Sequence, residues 1–318
     1  MVKALITGGA GFVGHHLVEH ILRTTDWDVV VMDRLDTSGN LNRLTDMECW
    51  PKERNRLKVV WHDLKAPIGY HTGLRMDRPE IIFHLAASTH VDRSIDDPIP
   101  FIMDNVLGTA HILEYARTDE HLKSLLYFGT DEIFGPAPPD MAYKEWDRYK
   151  SSNPYSATKA GAEELCIAYE NTYGLPIIIA HCMNIFGERQ HPEKFIPKCI
   201  RTILRGDEMP IIPGSRFWIH ARNVAAASLF LIEKGECGEK YNIVGEKEVD
   251  NLDMALGISH VIGKELRWKD AGKSRPGHDS RYALDGSKMR EMGWTLPVSF
   301  NDSLRRTVQW TAAHPEWL

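Results

Sequence analysis

Short apolar runs separated by stretches of helical period recur through the first half of this chain, and that alternation restricts the fold more than any other feature. Val2–Thr7, Val29–Met32, Val59–Trp61, Ile81–Leu85, Leu125–Phe128 and Ile177–Ala180 read as strands. After the first of them the period changes at Gly11, with Phe12, Leu17, Val18, Ile21 and Leu22 falling on one side of a helix, and Phe101–Arg117 and Tyr155–Tyr173 carry the same period. Apolar strands alternating with helices predict a parallel sheet covered on both faces. Right-handed crossovers then build a doubly wound α/β fold.

Beyond about Asn184 the alternation weakens, and Pro192, Pro197, Pro210, Pro213 and Gly214 break the chain into shorter pieces. A smaller C-terminal domain is expected from there, with residues 1–183 and 217–244 forming the large sheet domain and residues 184–216 and 245–318 the small one. Ser303–Trp310 reads as an amphipathic helix that closes it. At 318 residues with 43% hydrophobic side chains, the chain is long and apolar enough to bury a full core without a metal or disulfide staple.

The formal charge of −6, from 38 basic and 44 acidic residues, argues against a nucleic-acid-binding surface. No apolar run approaches the length of a membrane span, and Met1-Val2-Lys3 leads straight into a strand rather than a signal peptide, so a cytoplasmic protein is expected. Cys49, Cys166, Cys182, Cys199 and Cys237 are scattered and never form C-x-x-C, which suits a reducing compartment. No metal site is expected, since no H-E-x-x-H occurs and the adjacent pair His15-His16 should point two ways from its helix.

Gly8-Gly9-Ala10-Gly11-Phe12-Val13-Gly14 places glycines between a strand and a helix, where they permit a tight turn and close approach of the backbone to a pyrophosphate. The helix N-terminus adds free N–H groups and a positive dipole end. Asp33 closes the second strand, where a carboxylate accepts hydrogen bonds from ribose hydroxyls and repels a 2′-phosphate. NAD is favoured over NADP, although Arg34 beside it leaves NADP open. Asp63 after the third strand is either an adenine contact or a turn aspartate.

Tyr155 and Lys159 stand four apart, so both project from one helix face. An ammonium there, with a cationic nicotinamide, would lower the tyrosine pKa and let the phenolate act as a base. Gly129-Thr130-Asp131-Glu132 ends another strand at the carboxyl edge of the sheet, where doubly wound folds bind ligands.

With these residues in place, the chain resembles the extended short-chain dehydrogenase/reductase family, and within it the nucleotide-sugar 4,6-dehydratases, above all those acting on dTDP-glucose and UDP-glucose. The resemblance covers nearly the whole chain. It is carried by Thr7–Gly14, His84-Leu85-Ala86-Ala87, His90-Val91-Asp92-Arg93-Ser94, Thr130-Asp131-Glu132, Asn153-Pro154-Tyr155 to Lys159, Pro192–Pro197, and Arg275-Pro276-Gly277-His278-Asp279 with Arg281-Tyr282. Sister epimerases and decarboxylases generally carry small or hydroxyl residues in place of the Asp-Glu pair, and dehydration needs one acid and one base. Adjacent carboxyls whose pKa values are driven apart by burial and mutual repulsion supply both.

The resemblance implies a Rossmann domain that holds NAD with Gly8, Gly11, Phe12, Val13, Gly14, Asp33, Arg34, Asp63, Leu64, Leu85, Ala86, Ala87, Tyr155 and Lys159. It implies Tyr155 as the base at the sugar 4-hydroxyl, tuned by Lys159, with Thr130 on the 4-oxygen, Glu132 as base at C5 and Asp131 as acid at the departing 6-hydroxyl. Around the sugar nucleotide it puts Thr89, Asn184, Lys194, Phe195, Pro210, Ile212, Arg216, Asn251, Arg275 and His278, with arginines as forked donors to the diphosphate. Asn184 is equally open as a loop amide, and Arg216 as a surface charge. The resemblance also implies a homodimer built on the helices around Met103–Arg117 and Tyr155–Tyr173.

The chain departs from the family pattern in three places. Pro213–Trp218 is shorter than the usual glycine-rich loop, with Phe217 where aspartate is common. Asp104 stands where threonine is usual, and Ser88 replaces a common glutamate. An epimerase or decarboxylase on the same fold, and an NAD-sensing protein without activity, are the competing readings.

Overall fold

In the computed structural model, which describes residues 1–272 and 281–318, each expected strand forms at its expected place. They are β1 (Lys3–Thr7), β2 (Asp28–Asp33), β3 (Leu57–Trp61), β4 (Ile81–His84), β5 (Ser124–Thr130) and β6 (Ile177–Cys182). The short strands β7 (Asn184–Phe186), β8 (Glu208–Ile211) and β9 (Ser215–His220) follow, then β10 (Lys240–Ile243), β11 (Glu248–Asp250) and β12 (Arg267–Asp270). Seven strands pair in the order β10-β6-β5-β4-β1-β2-β3, every pair parallel. The strand β10 returns to this sheet only after the chain has built β7 to β9, which is why local periodicity did not single it out.

Side chains alternate between the sheet faces as the pleat requires. Ala4, Ile6, Val29, Val31, Phe83, Leu126 and Phe128 pack on one side, against residues of helices α1 (Phe12–Thr24) and, further along the chain, Ala221–Lys234. Leu5, Val30, Met32, Ile82, Leu125 and Tyr127 pack on the other, against α2 (Gly108–Thr118) and α3 (Pro154–Tyr173). Every strand residue named here is buried, so both faces are dry and the strands read as unbroken apolar runs.

A separate apolar cluster joins α4 (Phe195–Arg205), α6 (Asn251–Ile262) and α7 (Phe300–Ala313), with α5 being the helix Ala221–Lys234 already described. Two small sheets flank it, β11-β9-β7 and β12-β8. Helix α7 is longer than the expected Ser303–Trp310, because Ser299 caps it and accepts the N–H of Asp302.

The helix expected over Phe101–Arg117 forms without a break from Ile99 to Thr118, with a π-helical segment, Ile102–Leu107, between its first turn and α2. One expectation is corrected. His15 and His16 do not point apart; their buried rings lie 4.0 Å centroid to centroid. His16 Nε2 lies 3.2 Å from the Glu188 carbonyl, while the Glu188 carboxylate meets His220 Nε2 at 3.0 Å and accepts from Arg306 Nε at 2.8 Å. Burial drives the His16 pKa down to about 3, so the ring enters this contact neutral. Among the described residues no group of His, Cys, Asp or Glu could hold a metal ion, and no helix is long and apolar enough to cross a membrane.

Candidate active site

The strand order reverses between β1 and β4, and a cavity of about 860 Å³ opens at the carboxyl ends of these strands. The turn from β1 into α1 forms its floor. Gly8 takes φ +69°, a left-handed conformation that a side chain disfavours, and its carbonyl accepts the N–H of Gly11 at 2.9 Å. A Cβ on Gly14 would lie 2.2 Å from that same carbonyl, so only glycine lets the helix start this close to the strand. The N-cap of α1, Gly11, has no side chain to cap with, which leaves the first-turn N–H groups for a ligand.

Asp33, at the end of β2, faces this floor. Its carboxylate accepts the N–H groups of Ala10 at 3.1 Å and Leu35 at 2.8 Å, and burial raises its pKa despite these bonds. Asp63 lines the cavity, and its Oδ1 accepts the Lys65 N–H at 3.0 Å as a turn aspartate does. On the other wall, the Thr7 hydroxyl accepts the N–H groups of Leu85 and Ala86, each at 3.2 Å, and meets His84 Nδ1 at 2.7 Å. Thr7 thus fastens the Leu85–Ala87 segment against the glycine turn.

Gly8, Gly11, Phe12, Val13, Gly14, Asp33, Arg34, Asp63, Leu64, Leu85, Ala86 and Ala87 all line this one cavity, and so do Thr89 and Lys194 among the expected substrate contacts. The cradle fits a dinucleotide: donors at a helix start, a carboxylate at the second strand, and glycines where a Cβ would fill the space. Gln190, His191 and Glu193 also line it without having been assigned a site role; Glu193 lies in the Pro192–Pro197 motif, and the two residues before that motif carried no signal of their own.

The carboxyl pair lies where β5 ends. Thr130 extends the strand, and its hydroxyl bonds Asp131 Oδ1 at 3.2 Å and the Glu132 N–H at 3.4 Å. Asp131 is 4% exposed, and its Oδ2 has no hydrogen-bond partner. Burial first, and the Glu132 carboxylate second, push its pKa up to about 7, against a weaker downward pull from Arg216. Glu132 Oε2 accepts from Asn153 Nδ2 at 3.3 Å and from the Tyr282 hydroxyl at 3.4 Å.

Helix α3 delivers Tyr155 and Lys159 to this cluster. Its start is fixed by a capping box, in which Asn153 accepts the Ser156 N–H at 2.9 Å and the Ser156 hydroxyl accepts the Asn153 N–H at 3.3 Å, with Pro154 at the first helical position. The Tyr155 N–H is held by the Ser94 hydroxyl at 3.1 Å. Both functional side chains are buried, Tyr155 beside the Thr130 hydroxyl.

Burial and then the Glu132 carboxylate raise the Tyr155 phenol well above its ordinary range. Lys159 Nζ donates to the Phe128 carbonyl at 2.6 Å and sits over the Tyr127 ring, and burial lowers its pKa to about 8. Lys159 Nζ thereby faces the backbone of β5.

Among the described residues, Asn184, Phe195, Pro210, Ile212, Arg216 and Asn251 do not line the cavity. Asn184 starts β7 and pairs with Trp218; Phe195 packs against Trp218 with ring centroids 6.0 Å apart. Pro210 pairs along β8, and Asn251 spends its amide on the Ile212 carbonyl at 2.9 Å. Arg216 is no surface charge: it is 8% exposed, donates to the Ser215 carbonyl at 2.7 Å and stacks over the Tyr282 ring. Arg275 and His278 lie outside the described residues. Asn105, which no motif flagged, donates to the Thr158 hydroxyl at 2.9 Å and so ties the π-helical segment to the helix carrying Tyr155 and Lys159.

The family model described as GDP-mannose 4,6 dehydratase matches residues 5–307. A dTDP-glucose 4,6-dehydratase of Shigella flexneri is 36% identical, over 100% of this chain and 94% of its own length. A trifunctional enzyme of Arabidopsis thaliana, with UDP-glucose 4,6-dehydratase among its activities, is 35% identical over 98% of this chain and 47% of its own length. The solved dTDP-glucose 4,6-dehydratase of Streptomyces venezuelae, with NAD bound, superposes with a TM-score of 0.91 at 33% identity, covering 99% of this chain and 98% of that one. A UDP-glucose 4-epimerase of Thermus thermophilus, also with NAD, reaches a TM-score of 0.88 at 27% identity, covering 98% of this chain and 100% of that one. By the reach of the family model and the full-length identity of these relatives, the chain belongs to the GDP-mannose 4,6 dehydratase family.

Proposed function

We propose that the protein is an NAD-dependent nucleotide-sugar 4,6-dehydratase that converts dTDP-glucose or UDP-glucose to the 4-keto-6-deoxy sugar. The observation that carries this reading is Asp131: a buried carboxyl with a pKa near 7, touching Thr130 and beside Glu132, is a proton donor at neutral pH next to a proton acceptor. An epimerase needs no such pair, because it moves a hydride without eliminating water.

NAD, when bound, takes the hydride from C4, adds a positive charge to the site, and gives the hydride back at C6. Tyr155 takes the 4-hydroxyl proton while the Thr130 hydroxyl beside it steadies the 4-oxygen. Burial opposes the phenolate, so this step depends on the charges of Lys159 and the cofactor. Glu132 removes the C5 proton, which the new 4-keto group acidifies. Asp131 donates its proton to the 6-hydroxyl, which leaves as water. Glu132 returns its proton to C5 as C6 is reduced, the proton taken from the 4-hydroxyl replaces the one Asp131 gave, and the cycle is redox neutral.

Residues 184–216 and 245–318 are read as the sugar-nucleotide-binding part, whose Lys194 lines the cofactor cleft together with Thr89. A homodimer is supported by Ile99, Ile102 and Met103, which leave apolar surface exposed on the segment before α2. Free cysteines, of which Cys166, Cys182 and Cys199 are buried, support a cytoplasmic location. Incubating the protein with dTDP-, UDP- and CDP-glucose and following mass is the test. Loss of one water from the first or second is expected; interconversion without mass change, or no reaction, would refute the dehydratase reading.

A further inference from the structure

Asp33 and Arg34 stand side by side at the end of β2, and they send opposite signals. A carboxylate there suits the free ribose hydroxyls of NAD, while an arginine nearby suits the 2′-phosphate of NADP. The structure decides what Arg34 is free to do. Its Nη1 and Nη2 donate to Asp104 Oδ1 at 2.6 Å and Oδ2 at 2.9 Å, a forked two-point pair, and its Nε donates to Asp36 Oδ2 at 2.5 Å. Asp63 Oδ1 stands 3.8 Å from Nη1.

Asp104 is itself held in place. The Ser88 hydroxyl donates to its Oδ2 at 2.6 Å, and its side chain is 8% exposed. It lies in the π-helical segment Ile102–Leu107, whose wider turn brings two successive residues to bear on the same loop: Asp104 on the Ser88 hydroxyl, and Asn105 on the Ser88 backbone, accepting its N–H at 2.8 Å and donating to its carbonyl at 3.1 Å. Arg34, Asp104, Ser88, Asp36 and Asp63 all line the cofactor cavity.

We propose that Asp104 sets the preference for NAD over a 2′-phosphorylated dinucleotide, by holding the Arg34 guanidinium in a two-point pair beside Asp33. The fork that would receive a phosphate is already filled by a carboxylate of matching geometry. Around this end of the cleft stand Asp33, Asp36, Asp63 and Asp104 against Arg34 and Lys65, the latter 3.4 Å from Asp63, so a phosphate dianion entering it meets more carboxylates than cations. Asp33 alone would leave Arg34 able to swing to the phosphate; the pair with Asp104 closes that route.

This inference rests on the cofactor being NAD, and the test separates the two. Dinucleotide is stripped from the full-length protein, and the Kd values of NAD and NADP are measured by calorimetry for the wild type, Asp104→Asn, Asp104→Thr and Asp104→Asn with Arg34→Ala. Wild type binding NADP more tightly than NAD would overturn the cofactor assignment, whatever Asp104 does. With NAD preferred by the wild type, Asp104→Asn and Asp104→Thr are expected to tighten NADP about tenfold or more relative to NAD, the scale of one freed charge contact. Adding Arg34→Ala should remove that gain. An unchanged ratio in both single variants, a gain that survives loss of Arg34, or loss of both dinucleotides in both Asp104 variants would overturn the proposal.

Discussion

A carboxyl that is 4% exposed, with one oxygen lacking any partner, is costly unless it holds its proton, and Asp131 is such a group. Its place beside Glu132 gives two predictions. The double variant Asp131→Asn with Glu132→Gln should still oxidise the sugar but not eliminate water, because Tyr155 and Lys159 act before either carboxyl is needed. Mixing it with substrate should produce a standing NADH absorbance, while product formation falls by several orders of magnitude, on the scale of ~10²–10⁴ per acid–base group. Tyr155→Phe should abolish the absorbance; product formed by the double variant at near wild-type rate would contradict the assignment. The second prediction concerns pH. Asp131 is protonated below its raised pKa of about 7, so turnover should fall as pH rises through 7, and Asp131→Asn should lack that limb. The stability term has the same sign. A group raised in the folded state stabilises fully below its unfolded value and loses that contribution as pH rises through 7, so Asp131→Asn should gain more in Tm at pH 8 than at pH 5. Equal gains would show that Asp131 is ionised in the fold.

Elements here are placed by a few backbone requirements. The turn from β1 to α1 needs glycine at position 14, since a Cβ would press on the Gly8 carbonyl at 2.2 Å and on Gly9 Cα at 2.7 Å, both backbone atoms with nowhere to move. Gly14→Ala should push α1 off the sheet, cost about 1–3 kcal/mol as an overpacked contact, and reduce the dinucleotide that denatured protein releases. Gly73, in the short helix Tyr70–Met76, is the control: the nearest atom to its Cβ is 3.7 Å away, so Gly73→Ala should raise stability by about 0.5–1 kcal/mol and leave dinucleotide content intact. Equal dinucleotide content in both variants would count against the cleft assignment. Helix α3 is placed by its capping box at Asn153 and by Ser94 on the Tyr155 N–H, two anchors ahead of the first reactive side chain.

At the scale of the whole molecule, the two apolar cores are joined by contacts far apart in sequence. Glu188 links α1, β9 and α7 through His16, His220 and Arg306, and Glu163 on α3 meets His181 at 2.9 Å and Lys240 at 3.0 Å under the sheet. Exposed Ile99, Ile102 and Met103 predict association in solution. Light scattering should give twice the 36.2 kDa chain mass at micromolar concentration, and Ile102→Glu with Met103→Glu should shift it toward one chain; a wild-type monomer would refute the dimer.

The alternation of apolar runs and helical periods determined the sheet and its parallel sense, and the glycine turn with Asp33 marked the cleft proposed to hold a dinucleotide, because these depend on local backbone geometry and side-chain period. Thr130, Asp131, Glu132, Tyr155 and Lys159 were legible for the same reason: each ends a strand or opens a helix, and strand ends of a parallel sheet converge on one edge. Only the tertiary structure decided the rest. The rise of Asp131 to about 7 needs burial by elements distant in sequence, and the turn of Lys159 toward the Phe128 carbonyl needs β5 packed beneath α3. Arg216 beneath Tyr282, Asn251 on the Ile212 carbonyl and Arg34 in the fork of Asp104 join residues that local spacing cannot relate. Which partner a charged or amide group finds depends on the distances folding sets, and those distances are fixed by packing across the whole chain rather than by its local pattern.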